Sequence, residues 1–182
     1  MARKQFVALL RGINVGGHHK LPMADLRALA EALGWQRVGS YIQSGNLVFE
    51  ATGTEAALER KLEAALLEHA SLSIPVIVRA EERYRHLVGA NPFVEAGARE
   101  PNRVMLALSK AKPKRGALVL IEERASPGER VALVGDGLWI HYANGAGNTK
   151  LSPALLDRAV GSTLTARNLR TCLKLTEMLG DA

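Results

Sequence analysis

The alternation of two hydrophobic periods along residues 1–80 constrains this chain more than any other feature. Residues 5–10 are continuously apolar after Gln5, the mark of a strand buried on both faces. Residues 22–33 switch to helical spacing, with Leu26, Leu29, Ala30 and Leu33 on one face, Pro22 at the first helical position and Gly34 just past the end. Two short strands, 38–43 and 46–50, follow around the polar turn Ser44-Gly45. Residues 55–70 return to the helical period with Leu58, Leu62, Ala65 and Leu66 inward, and Thr52 with Glu55 reads as a capping box. Residues 74–79 are a fourth strand. The resulting order is βαββαβ.

That order predicts a ferredoxin-like α+β subdomain over residues 1–80, with its first and third strands central. Because residues 6–10 and Leu47-Val48-Phe49 do not alternate, both faces of the sheet need a cover. Residues 81–182 are the expected source of it, as a second, smaller α+β subdomain packed with the first into one unit. They contain a polar helix at 81–88, the turn Asn91-Pro92-Phe93, a strand at 103–108 and a short helix at 115–123. A hairpin of 130–134 and 138–142 crosses Gly135-Asp136-Gly137. Ser152-Pro153 starts a helix that Gly161 stops, and Thr165 is read as the cap of a last helix whose Leu169, Cys172, Leu173 and Thr176 share a face. This half reads as a diverged, partial repeat of the first.

Composition excludes several classes. No apolar run reaches the ~18 residues of a membrane helix, and Arg11 interrupts the N-terminal run too early for a signal peptide, so a cytoplasmic protein without membrane partners is expected. The lone Cys172 forms no intrachain disulfide, leaves too few thiolates for a cysteine-based zinc site, and is expected to be buried as a small hydrophobe. Net charge is +6 with a pI near 9.8, which permits nucleic-acid or acidic-ligand binding without being a nucleic-acid signature, because the excess cations are spread over both halves. The densest group, Lys110, Lys112, Lys114 and Arg115, surrounds a proline and reads as a solvated loop.

The functional signal lies where the first strand runs into a glycine-rich turn, Arg11-Gly12-Ile13-Asn14-Val15-Gly16-Gly17-His18-His19-Lys20. Glycines let backbone N–H groups approach an anion, while Arg11 and Lys20 neutralise it. Gly12 and Gly17 have the spacing of a phosphate-binding P-loop, yet His18 replaces its lysine and no Ser or Thr follows. His18-His19 reads as solvated, with no metal site. Asn14, Gln43 and Asn46 would orient a ligand by directed hydrogen bonds, with Ser44 beside them if strand pairing brings the two turns together. Lys150, Arg167 and Asn168 are expected to close the site from the second half, because Arg167 and Arg170 would load a helix start with cations that call for an anionic neighbour, either a carboxylate such as Asp157 or a bound phosphate. The expected ligand is therefore a small phosphorylated or carboxylated molecule between the subdomains, with no cofactor. Ser44, His141 and Asp136 can be written as a triad, but no spacing supports one, and no catalytic base is assigned.

Four segments carry a resemblance. Leu9 to Gly17, Ser40 to Phe49, Asn91-Pro92-Phe93 and Thr165-Ala166-Arg167-Asn168 are similar to the hallmarks of the domain of unknown function 1697 family, a bacterial group. The resemblance implies two subdomains, the first ferredoxin-like, and implies no activity. Leu169 departs from the aromatic residue expected after Arg-Asn. The alternatives are a nucleic-acid-binding module, weakened by the missing aromatic RNA-binding pattern, and a structural or protein-interaction role.

Overall fold

The computed structural model describes residues 2–16 and 20–180, which fall into two compact units: residues 1–84 with 175–182, and residues 85–174. The first unit is built from β1 (Lys4–Leu10), α1 (Met23–Ala32), β2 (Gln36–Ser40), β3 (Asn46–Ala51), α2 (Glu55–Ala70) and β4 (Val76–Ala80). Its antiparallel sheet has the order β2-β3-β1-β4, so β1 and β3 are central as the βαββαβ order requires. Phe6, Ala8, Leu10, Leu47 and Phe49 join Leu26, Leu58, Leu62 and Trp35 in one core, where Trp35 stacks on Phe49 at 3.9 Å between centroids. Val7, Leu9, Val48 and Ile77 are buried too, so both faces are covered, which explains why these strands do not alternate.

Two sequence expectations shift. The hairpin read at Ser44-Gly45 is a longer connection, residues 41–45, because β2 ends at Ser40. The cap of α2 is Thr54, whose hydroxyl accepts from the Ala57 N–H, in place of Thr52. Glu55 is thereby released for another task. β4 is an edge strand, and its outward N–H groups at Ala80, Val78 and Val76 donate to Glu55, Glu59 and Glu63 at 2.8, 2.9 and 2.8 Å. Carboxylates at four-residue intervals on one helix face thus meet alternate residues of the strand and occupy an edge that would otherwise invite another strand. Glu59 is buried and lies 3.8 Å from the buried Arg79 guanidinium.

The chain then repeats the plan. After α3 (Glu81–Gly89) and α4 (Val94–Arg99) come β5 (Val104–Ser109), α5 (Ala117–Glu122), β6 (Arg130–Val134), β7 (Gly137–His141), α6 (Pro153–Val160), β8 (Leu164–Asn168) and α7 (Leu169–Met178). The sheet order β6-β7-β5-β8 has the connectivity of the first sheet, so the partial repeat is a full βαββαβ. The missing piece was β8. Thr165 caps no helix; residues 164–168 pair with β5 across Leu108↔Thr165 and Leu106↔Arg167. Asn168 caps α7 instead, its Oδ1 accepting from the Thr171 N–H at 2.9 Å. On α7, Leu169, Cys172 and Leu175 are buried, as is Leu179 just past its end, while Leu173 is exposed. No helix among the described residues is long and apolar enough to cross a membrane.

Candidate functional site

The end of β1 and the connection before β3 meet through backbone. The Leu10 N–H donates to the Gly45 carbonyl at 2.8 Å, and the Arg11 N–H to the Pro75 carbonyl at 3.0 Å. Gly45 has φ +78, and a Cβ there would lie 2.6 Å from Ile13 Cδ1 and 2.8 Å from Leu10 Cβ. Glycine is thus the only residue that both reaches this conformation and lets the two loops touch.

Asn14 locks the arrangement. Its Oδ1 accepts from the Leu21 N–H at 2.8 Å, while its Nδ2 donates to the carbonyls of Leu21 and Gln43 at 2.9 and 2.7 Å. A single side chain therefore closes loop 11–20 on itself and ties it to loop 41–45. Asn46 does the same for the second loop: it is fully buried, its Nδ2 donates to the Tyr41 carbonyl and the Ser44 hydroxyl, and its own carbonyl accepts from the Tyr41 N–H. Both asparagines, expected to face a ligand, are engaged in holding the loops. What the loops present outward is the backbone of Gly12 and Gly16, both with positive φ, together with Gln43, half-buried Ser44 and Arg11, and exposed Val15 and Ile42. Ile42 has φ +49, a conformation that costs a β-branched residue of order 1–2 kcal/mol, although its side chain is half in water.

Gly17 and His18-His19 are outside the described residues. Lys20 is exposed and lines a cleft of about 510 Å³ with Pro22, Asp25, Leu29 and His69, between α1 and α2. Lys150 is exposed in the second unit. Arg167, expected in the first turn of the last helix, is a buried strand residue whose guanidinium donates to the Thr165 hydroxyl and the Ala166 carbonyl at 2.9 Å each. The helix-start argument therefore fails for Arg167, and Asn168 is occupied as the cap.

A second constellation escaped sequence reasoning. His141 Nε2 lies 2.6 Å from Glu100 Oε1, and its Nδ1 lies 3.3 Å from Arg130 Nη2. A guanidinium only donates, so Nδ1 is the acceptor and the ring proton sits on Nε2, pointing at Glu100. Arg103 also contacts Glu100, at 3.1 Å, and Arg130 lies over the Phe93 ring at 5.0 Å from its centroid. The hydrogen bond from His141 holds the Glu100 carboxyl below its ordinary range, with Arg103 adding to the effect. Both ring nitrogens are thereby occupied, and the partners of His141 are Glu100 and Arg130 in place of Asp136 and Ser44. Only the turn Asn91-Pro92-Phe93 hinted at this cluster, since Glu100 and His141 are far apart in the chain.

Comparison with known proteins agrees with the duplicated α+β plan. The solved structure of the conserved bacterial protein SP0830 from Streptococcus pneumoniae matches with a TM-score of 0.76 at 25% sequence identity, over 98% of this chain and 99% of its own. No curated protein matches. The pattern of the family described as protein of unknown function (DUF1697) matches residues 3–139, which takes in both loops of the candidate site and the strands through β7 as far as Trp139. The chain therefore belongs to the DUF1697 family.

Proposed function

We propose that loops 11–20 and 41–45 form a binding site for a small phosphorylated or carboxylated molecule. The observation that carries this reading is the use of Asn14: two hydrogen bonds with Leu21 close loop 11–20 on itself and a third ties it to the Gln43 carbonyl of loop 41–45, while Gly12 and Gly16 are exposed beside Arg11. A loop needed only as a connection has no use for that fixation. Backbone already held in place next to a guanidinium loses little entropy when an anion arrives, and charge-assisted hydrogen bonds to it are about twice as strong as neutral ones. Gln43 and Ser44 supply further polar contacts, and the strained Ile42 an apolar one.

A nucleic-acid module of the kind that stacks bases on a sheet would need aromatic side chains on an open face. Phe6 and Phe49 are buried in the core, which supports the small-molecule reading over that one. A thermal-shift panel of nucleotides, sugar phosphates and carboxylates tests the proposal. A true ligand at about 100 times its Kd adds about 2.7 kcal/mol, or roughly 5–10 °C for a chain of this size. No shift across the panel, or a shift unchanged in Arg11→Met, contradicts it.

A further inference from the structure

Residues 117–121, Ala-Leu-Val-Leu-Ile, make α5 apolar around its whole circumference. A short helix can turn only one side inward: Ala117 and Ile121 are buried, while Val119 and Leu120 are 56% and 53% exposed. Scattered exposed apolar residues need no explanation, but Leu120 continues into a groove of about 170 Å³ whose other walls are Leu155 and Ala159 of α6. Two guanidiniums, Arg124 just beyond α5 and Arg158 in the last turn of α6, complete the lining. Positions near helix C-termini suit cations, yet neither side chain forms an ion pair or hydrogen bond among the described residues, even with Glu122 and Glu123 next to Arg124 in the chain.

We infer that this α5–α6 groove docks an acidic segment of a partner protein that inserts one large apolar side chain between Leu120 and Ala159 and sets carboxylates against Arg124 and Arg158. Volume selects the occupant. Pockets for drug-sized molecules or acyl chains span roughly 300–1,000 Å³, whereas a cavity of about 150 Å³ accepts a single benzene ring, so this groove takes one phenyl or isobutyl group. Charge selects its flanks. Two unpaired guanidiniums beside an apolar floor repel a basic partner and recruit a bidentate carboxylate, and the chain's net charge of +6 steers acidic partners toward it.

The probe is a short fluorescein-labelled peptide with one phenylalanine set among aspartates, beside a copy in which glycine replaces the phenylalanine. Titrated into the full chain, the first peptide binds saturably and shifts the methyl resonances of Leu120, Leu155 and Ala159. Removing the phenylalanine weakens binding by about ten-fold or more. The Arg124→Glu/Arg158→Glu double variant does likewise, and Arg124→Gln/Arg158→Gln repeats the loss if charge reversal disturbs folding. Equal affinity for the two peptides, unchanged affinity in both double variants, shifts confined to other methyls, or no binding at all would overturn the assignment. So would concentration-dependent self-association that Leu120→Asp abolishes, because the groove would then belong to a second copy of the chain.

Discussion

The two units share strand order and even the hydrogen bond that anchors the loop after their first strand: Arg11 N–H to the Pro75 carbonyl in one, Lys110 N–H to the Thr163 carbonyl in the other, both at 3.0 Å. Both loops are basic, yet they use their residues differently. In the second unit the loop is drawn onto the end of α6: the Lys114 N–H donates to the Val160 carbonyl, the Ala111 N–H to the Ser162 hydroxyl, and the Lys114 stem lies across Gly161. Its backbone N–H groups and a lysine stem serve a helix C-terminus. In the first unit the corresponding loop is fixed by Asn14, and Gly12 and Gly16 lie at the surface. One fold, used twice, thus has a loop that serves the structure and a loop that presents a surface. The edges differ in the same way. Three glutamates accept from β4, whereas on β8 the Asp157 carboxylate accepts from the Leu164 N–H at 3.0 Å.

The edge contrast gives the largest expected effect. Glu59→Leu leaves the Arg79 guanidinium buried without this carboxylate and strips an acceptor from β4, and should cost about 3–5 kcal/mol in urea unfolding. Asp157→Ala in the second unit removes the acceptor of the Leu164 N–H at a half-buried site and should cost about 1–2 kcal/mol. Equal losses would show that the two edges are equivalent.

Next come the glycines. Gly45→Ala meets both a positive φ and contacts under 3 Å, and should cost about 2–4 kcal/mol. Gly116→Ala, at φ +83 but with nothing within 4 Å of the new methyl, should cost about 1 kcal/mol. If the two losses coincide, crowding between the loops is not what requires Gly45.

Alkaline titration probes the second unit. Burial, with Glu129 adding, pushes the Tyr142 hydroxyl up from 10.0 to about 12. A raised folded-state value means this stability is fully present below pH 10 and is lost as pH rises from 10 to about 12, a fall of about 2–3 kcal/mol. Tyr142→Phe should flatten that limb, and an unchanged limb would assign it to other groups. The smallest effect lies at Ile42. Ile42→Gly relieves the left-handed strain and should stabilise the fold by about 1 kcal/mol or leave it unchanged, while weakening ligand binding. A clear destabilisation would make Ile42 a packing residue.

The parts of the fold legible in the sequence are those that hydrophobic period writes along a single segment. β1, α1, α2, β6 and α6 fall within a residue or two of their expected bounds, since one apolar face and a Pro or Gly boundary suffice to define them. β8 escaped because Thr165, Arg167 and Asn168 look solvated, and Arg167 is buried only by folding its guanidinium back onto its own strand. The glutamate ladder was present as a four-residue spacing at 55, 59 and 63, but its meaning depends on β4 being an edge, which no local pattern reveals. At the candidate site the meeting of loops 11–20 and 41–45 follows from strand order. The roles of Asn14 and Asn46 do not, because amides that bind ligands and amides that hold loops are the same residues in a sequence.

The central claim, that loop 11–20 with loop 41–45 is a preformed anion site, is tested most directly by following backbone amide resonances of the chain and of Arg11→Met during titration with inorganic phosphate. The account predicts saturating shifts at Gly12, Gly16, Gln43 and Ser44 in the parent chain. It also predicts their loss in Arg11→Met, with a melting temperature changed by no more than about 2–4 °C, the effect of a surface charge contributing ~0–1 kcal/mol. An Arg11→Met chain destabilised by about 3 kcal/mol or more, whose folded fraction still shows the phosphate shifts, would contradict it and make Arg11 a structural residue.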